Sequence, residues 1–224
     1  YQRAYDQWLA DQNAAGGIMG RPVQLKWYDD FGKGENAAEN YRRLIDDDKV
    51  DLLLGPCHSV IIAPMAHVTE ERKMVLIEGS GSVSDMFRKG RKYLFLAWGA
   101  DCDYMQSFME MMAAADNPNR VRKVGIIGFN DAYGEGVIVQ FGRLAPVRKL
   151  EVAVVERYVR TDTSVTAQVL KLVAAGPDAI FIGAASTPAA LPQAALVERG
   201  FKGRVYHTHG VLNRDFLRVG GKAV

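Results

Sequence analysis

The sequence contains little that would place it in a specialised class of protein. Its 224 residues include only two cysteines, Cys57 and Cys102, with no CxxC pair and no other metal-ligand spacing. Two cysteines leave open either two free thiols or one disulfide between them. No apolar run approaches the roughly 20 residues that a membrane-spanning helix requires. The cysteine pattern therefore predicts neither a zinc site nor a disulfide-rich scaffold.

The chain also has no large excess of charge of one sign. The chain has 28 basic and 26 acidic residues, which gives a formal net charge of +2. No stretch combines clustered basic residues with interleaved aromatic residues, as a nucleic-acid-binding surface would. We therefore expect no nucleic acid partner. The composition, 48% hydrophobic and 24% charged, is that of an ordinary globular protein with a substantial core.

The motifs of common enzyme classes are absent as well. A hydrolase could be assembled only from Ser59 or Ser82 with His209 and Asp215. However, the chain has no GxSxG elbow, because the turn at 79–82 reads GSGS. It has no GxxxxGK[ST] loop and no strand-anchored GxGxxG for a nucleotide. We predict that the protein is not an enzyme and uses no cofactor.

A metal site would have to come from the four histidines. Only His207 and His209 are close together in the sequence, and a pair of histidines on a strand needs a third ligand to bind a metal. The sequence therefore predicts no metal. The residues considered are His58, His67, His207 and His209.

Strand-like and helix-like segments alternate along the whole chain. This alternation predicts parallel sheets with right-handed crossovers, an α/β fold. The apolar run at 50–55 predicts a strand buried on both faces. Strands are predicted at 22–29, 50–55, 74–79, 92–98, 122–129, 150–158, 178–184 and 204–209, and helices at 1–15, 34–47, 60–72, 103–115, 133–145, 164–175, 188–199 and 213–219.

The alternation is interrupted after the turn at 79–82, where a polar stretch precedes the strand at 92–98. This break predicts two Rossmann-like lobes, lobe one at 1–100 and lobe two at 101–224. Each lobe has two short loops directly after strands: GPCHS (55–59) and EGSGS (78–82), then FNDAYGEG (129–136) and YHTHG (206–210). Ligands of open parallel sheets bind beyond the carboxyl ends of strands, so these loops predict a ligand site.

Several of these segments together resemble one family. NAAGGIMGRPVQLKWYDD (13–30), GPxxS after a strand, a small-residue turn, and DAYGEG after KVGIIGF are similar to the solute-binding proteins of branched-chain amino acid ABC transporters. The resemblance implies the type I periplasmic-binding fold, in which two lobes close on a small solute. It also implies delivery to a membrane permease, a periplasmic or lipoprotein-anchored extracellular location, and a monomer.

Compared with that family, the chain is expected to be truncated at both ends. By the resemblance, the first strand of lobe one and the C-terminal return segments of lobe two are expected to be missing from it. The same fold also serves as the ligand-sensing domain of receptors and regulators, and this alternative stays open.

In lobe one, Ser59 can either cap a helix or hydrogen-bond a ligand carboxylate. The resemblance favours the carboxylate, and His58 beside it is a further candidate contact. The small residues at 79–82 permit close approach of the backbone to a ligand. By resemblance, the Ser82 hydroxyl and N–H meet the carboxylate and the Gly81 carbonyl meets an ammonium group, with Ser80 in the same turn.

In lobe two, Asp131 can cap a helix and Tyr133 covers the ligand by resemblance to the YGxG motif. Ala185 and Ser186 occupy a loop where relatives often carry an aromatic residue, which would widen that wall. Trp98, at the crossover from lobe one into lobe two, can stack on a ligand or pack in the core at the junction of the lobes.

His209 is a departure from the family, because amino-acid-binding relatives commonly have an acidic residue there. Asp131 or Asp103 could replace that acid, or the ligand could lack an amino group, as an aromatic or aliphatic carboxylate does. A protonated His209 would favour acidic ligands as the pH falls through ~6.5.

Overall fold

The computed structural model describes residues 2–56, 58–88, 90–114 and 120–224. The chain divides into two compact units: unit 1 comprises Tyr1–Gly81 and Gly90–Ala97, and unit 2 comprises Ser82–Lys89 and Trp98–Val224. Cys102 forms no disulfide within the part of the chain that the structure describes. Cys57, and with it the alternative of a Cys57–Cys102 disulfide, lies outside the described residues.

Unit 1 contains a three-stranded parallel sheet in the order β1-β2-β3. Its strands are β1 (Leu53–Leu54), β2 (Leu76–Glu78) and β3 (Leu94–Leu96), and its helices are α1 (Gln2–Ala14), α2 (Gly34–Asp46) and α3 (Ser59–Arg72). Ile61, Ile62 and Met65 of α3 are almost completely buried. The three helices and the strands after residue 70 confirm the prediction to within a few residues.

Two predictions for unit 1 are wrong. The segment 22–29 forms no strand, because it has no ladder partner among the described residues. The backbone N–H and C=O of Val23 are instead bonded to the side-chain amide of Asn13, at 2.7 and 2.9 Å. The run at 50–55 is not buried on both faces: Leu53 is 3% exposed, but Leu52 is 70% exposed. Only one face of β1 is covered, so alternate side chains remain in solvent.

Unit 2 contains a four-stranded parallel sheet in the order β5-β4-β6-β7. All residues of the central strands β4 and β6 except Lys123 are buried, because the sheet is covered on both faces. None of the described helices is long and apolar enough to cross a membrane. The elements are α4 (Ser84–Arg88), α5 (Asp101–Ala113), β4 (Lys123–Phe129), α6 (Ala132–Leu144), β5 (Glu151–Tyr158), α7 (Thr166–Ala174), β6 (Ala179–Gly183), α8 (Ala190–Glu198), β7 (Arg204–His207) and α9 (Arg214–Gly220).

The order of these strands confirms the predicted parallel α/β arrangement, while α4 was read from the sequence only as a polar stretch. The predicted end of the helix at residue 115 lies outside the described residues. Strand β4 pairs with β6, and the connections that leave these two strands run in opposite directions, from β4 to β5 on one side and from β6 to β7 on the other. Such a point in a parallel sheet is where ligands bind. The loops after β4, β6 and β7 open at this edge.

Candidate ligand-binding site

A chain of hydroxyl groups crosses the carboxyl edge of the unit 2 sheet. The Ser82 hydroxyl lies 3.2 Å from the Tyr104 hydroxyl, which is hydrogen-bonded to that of Tyr133. Tyr133 donates to Thr208 Oγ1 at 2.7 Å, and Thr208 donates to the Ala184 carbonyl at 2.9 Å. Ser82, Tyr133 and Thr208 are buried. Burial raises the pKa of both tyrosines, so the network is neutral at physiological pH.

Asp131 holds the start of α6, as the sequence predicted. Its Oδ1 accepts the backbone N–H groups of Tyr133 and Gly134 at 2.9 and 3.1 Å. Its Oδ2 forms an ion pair with Arg160 at 2.6 Å, and that guanidinium also lies 4.1 Å from the centre of the Phe129 ring. The Asp131 carboxylate is therefore already neutralised by a cation and two N–H donors of its own unit.

His209 sits in a cluster of aromatic rings. Its imidazole lies 5.1 Å from the Tyr104 ring in an edge-on arrangement and 6.1 Å from the Trp98 ring. Burial lowers the pKa of His209, so the neutral imidazole is the form near neutral pH and protonation requires a pH below the ordinary 6.5. Trp98 is 56% exposed, so the alternative that it packs in the core is wrong.

The loop after β6 is tied to the loop after β7. The Ser186 N–H donates to the Gly210 carbonyl at 2.9 Å. A side chain at Gly210 would put its Cβ 2.6 Å from that of Ala185, so the two loops touch and position 210 needs glycine. Ser186 has the positive φ of 57° that L-residues rarely adopt. These contacts fix the backbone beside His209.

In unit 1, Ser59 is the first residue of α3 and is 2% exposed. Its Oγ has no hydrogen-bond partner among the described residues. The N-cap position is His58, whose side chain forms no capping hydrogen bond. The alternative that Ser59 caps the helix is therefore wrong. A buried hydroxyl without a partner at the N-terminus of a 14-residue helix is a group that a ligand could satisfy.

The turn after β2 is organised by Glu78, which the sequence reasoning missed. One oxygen of its carboxyl group, Oε1, accepts the N–H groups of Ser80 at 2.9 Å and Gly81 at 2.8 Å, and the Gly79 N–H also bonds the carboxyl group. Glu78 is completely buried, and burial raises its pKa to about 7. Three N–H groups of the small-residue turn are thus occupied by the chain's own carboxyl group, and the Ser82 N–H, which the resemblance assigns to a ligand carboxylate, is not among them.

The structure brings together only some of the predicted residues. Ser82, Trp98, Tyr133 and His209 belong to one network in unit 2, and Asp131 lies at its margin. Ser80 and Gly81 belong to unit 1, so the turn at 79–82 is divided between the units. No group of three or more histidine, cysteine or carboxylate side chains suited to a metal occurs within the described part of the chain.

Four further residues contribute to these networks: Glu78, Tyr104, Arg160 and Thr208. Glu78 and Thr208 lie within the EGSGS and YHTHG loops, which the sequence predicts to form the site. Their polar side chains could therefore have been identified as candidates from the sequence. Tyr104 and Arg160 lie outside the four loops, and only the folded chain places them at the site.

Comparison with known proteins identifies the family. The model of the periplasmic binding protein family matches residues 1–224. An amino acid binding protein of Pseudomonas aeruginosa is 26% identical over 99% of this chain and 58% of its own length. A Leu/Ile/Val-binding protein homolog of Brucella melitensis is 25% identical over 93% of this chain and 56% of its own length. The chain thus spans less than two thirds of these relatives.

Solved structures agree with this result. An extracellular ligand-binding receptor from Rhodopseudomonas palustris superposes with a TM-score of 0.86 at 37% identity, over 97% of this chain and 60% of that protein. The substrate-binding protein LivJ of Streptococcus pneumoniae, in complex with isoleucine, gives a TM-score of 0.84 at 22% identity, over 95% of this chain and 60% of that protein, a likeness that concerns the fold. The resemblance read from the motifs is confirmed, and the chain belongs to the periplasmic binding proteins of type I, the family of the branched-chain amino acid binding proteins.

Proposed function

We propose that the protein captures a small solute bearing a carboxylate group, with an amino acid favoured, and delivers it to the permease of an ABC transporter. The solute would be held between the two lobes, divided near residue 100, after closure about a hinge. The observation that carries this proposal is Ser59, a buried hydroxyl without a partner among the described residues at the start of α3. The family membership supports a solute-binding role outside the cytoplasm. We expect a protein that is not an enzyme and that is a monomer at its full length.

The start of α3 suits a carboxylate for two reasons. The first N–H groups of a helix have no partner within it, and the helix dipole places partial positive charge there. The Ser59 hydroxyl adds a donor at the same point, and no acidic side chain lies in the first turn. Ligand binding would satisfy a hydroxyl that folding leaves without a partner.

The carboxyl edge of unit 2 supports the second half of the proposal. Trp98 is exposed beside a neutral His209, and the buried hydroxyls from Ser82 to Thr208 hold Tyr104 and Tyr133 in place. A surface with rigid aromatic rings and few charges suits the apolar part of a small solute. Contacts of this kind would add affinity in the closed form.

Replacing Ser59 with alanine tests the proposal. We expect affinity to fall by about ten- to a hundredfold, the value of one hydrogen bond to a charged group. Stability should be unchanged or slightly higher, because the hydroxyl removed has no partner among the described residues. The ligand is found by a thermal-shift screen across amino acids, aromatic acids and dicarboxylates, and titration calorimetry then measures its affinity.

Ser107→Ala is the matched control, because Ser107 is an exposed helical serine of α5. It should change neither affinity nor stability. A Ser59→Ala protein that melts at a lower temperature and binds with full affinity would contradict the proposed role. A screen without any bound carboxylate compound would contradict the proposed function itself.

A further inference from the structure

Glu78 presents an unused oxygen at the carboxyl edge of the unit 1 sheet. It ends β2, the central strand, and no part of it is exposed. Oε1 accepts the N–H groups of Ser80 and Gly81, whereas Oε2 has no hydrogen-bond partner among the described residues. The carboxyl group is therefore oriented through one oxygen, and the other oxygen is buried without a described partner.

The surroundings of Oε2 place it beside the segment that leads into α3. A side chain at Gly55, which follows β1, would overlap Oε2 and lie 2.8 Å from Cδ of Glu78. A Cβ at Gly81 would overlap Ile62 in the first turn of α3 and lie 3.5 Å from the same Cδ. Glu78 is therefore packed between the residues that lead into α3 and the first turn of that helix. The two buried oxygens without described partners, Glu78 Oε2 and Ser59 Oγ, lie at the same edge.

The charge of Glu78 is not balanced within unit 1. The titratable groups that face it are Tyr5 of α1 and Tyr41 of α2, and burial raises the pKa of both, so they are neutral. No basic side chain among the described residues contributes to its pKa, which is governed by burial and by the N–H groups of 79–81. An ionised Glu78 is a buried anion that a ligand cation would stabilise.

The other carboxylates considered for an ammonium group are already engaged. Asp131 is paired with Arg160 at 2.6 Å and caps α6. Asp103 accepts the N–H of Ala100 at 2.9 Å at the start of α5 and is exposed to solvent. Glu78 is a buried carboxyl group that retains an oxygen and faces no cation of the described chain. Asp101 of unit 2 also has a buried oxygen, Oδ2, without a described partner, but it lies at the start of α5, whereas Glu78 lies in the same unit as Ser59.

We infer that Glu78 Oε2 accepts a hydrogen bond from the ammonium group of the bound solute, while Ser59 and the start of α3 hold its carboxylate. Glu78 is then a specificity-determining residue that selects an amino acid over the organic acid of the same shape. This inference rests on the proposed function and names the solute class of that site. It also explains which residue supplies the carboxylate for an ammonium group, since position 209, where amino-acid-binding relatives commonly have an acidic residue, is a histidine.

The inference predicts a definite pH dependence. An ammonium group binds the ionised carboxylate, and the apparent affinity is reduced by the fraction of protein in that form. With the pKa of Glu78 at about 7, affinity for an amino acid should rise about tenfold between pH 6 and pH 8. An organic acid should show the opposite trend, because the ionised Glu78 repels it.

The test uses pairs of compounds that differ only in the amino group: L-leucine with 4-methylpentanoate, L-phenylalanine with 3-phenylpropanoate, and L-glutamate with glutarate. Each is titrated into the purified protein by calorimetry at pH 6 and pH 8. In the pair that contains the ligand, the amino acid should bind about ten- to a hundredfold more tightly than the matching organic acid at pH 8. Glu78→Gln should remove most of this preference and the pH dependence.

Glu70→Gln is the matched control. Glu70 also accepts two backbone N–H groups in unit 1, those of Lys92 and Tyr93, but it is only partly buried. Its substitution should leave the preference intact. If Glu78→Gln fails to fold, carboxyl NMR of the unmodified protein decides the question, because a bound amino acid should lower the pKa of Glu78 by at least one unit.

The outcomes separate the two proposals. Tighter binding of the organic acid, or a preference that Glu78→Gln leaves unchanged, overturns the role of Glu78 and leaves the carboxylate-binding function standing. An unchanged pKa of Glu78 in the complex also overturns the role of Glu78 and leaves the carboxylate-binding function standing. Failure of every compound to bind overturns both proposals.

Discussion

Replacing Gly134 with alanine is expected to destabilise unit 2 by at least 3 kcal/mol, enough to unfold much of a marginally stable unit. A Cβ at this position would lie 2.5 Å from the backbone N of Phe129 and 2.7 Å from its carbonyl carbon, and would overlap the carbonyl oxygen. Backbone atoms of the central strand β4 cannot move aside as a flexible side chain can. The glycine of the DAYGEG loop is therefore required by the close approach of α6 to β4.

Gly142→Ala in the same helix is the control. Nothing lies within 4 Å of a Cβ at Gly142, so alanine should stabilise the helix by about 0.5–1 kcal/mol. Urea denaturation of both variants measures the difference. Equal stability of the Gly134→Ala and unmodified proteins would contradict the packing of α6 on β4.

His207 in unit 2 and Glu78 in unit 1 are expected to change the stability of their units with pH in opposite directions. In unit 2, burial lowers the pKa of His207 to about 4, its Nε2 is bonded to the Gln193 side chain, and its Nδ1 has no described partner. The folded state favours the neutral imidazole. This contribution is complete above pH 6.5 and is lost as the pH falls through 4, a change of about 3 kcal/mol.

In unit 1 the sign is reversed. Burial raises the pKa of Glu78 from 4.5 to about 7, so between these values the folded state holds a proton that the unfolded state has released. Stability from this group is greatest below pH 4.5 and declines as the pH rises to 7, again by about 3 kcal/mol. An amino acid bound to Glu78 would reverse part of this loss.

Hydrogen exchange followed by mass spectrometry resolves the two units, after correction for the intrinsic effect of pH on exchange. Between pH 7 and pH 4, peptides from β4 and β6 should lose protection, whereas peptides from β2 and α3 should gain it. His207→Gln should flatten only the first trend and Glu78→Gln only the second. Parallel trends in both units would show that these two groups do not control the pH dependence.

The sequence by itself determined the order and type of most elements. Apolar runs such as KVGIIGF and DAIFIG predicted the buried central strands, and the turn residues between them predicted where the helices of unit 2 begin. Asp131 was correctly assigned as a cap because capping is a local interaction over two or three residues. The family motifs are local patterns too, so the family could be recognised without coordinates.

Only the tertiary structure decided which hydrogen-bond donors and acceptors already have a partner within the chain. The extended segment 22–29 has strand composition, yet a strand exists only where another backbone pairs with it. The turn at 79–82 has the small residues of an anion site, but Glu78 folds back onto its N–H groups. Ser59 has the sequence of a helix cap, but His58 takes that position. In each case the outcome depends on which donor and acceptor meet in space, and spacing along the chain does not encode that.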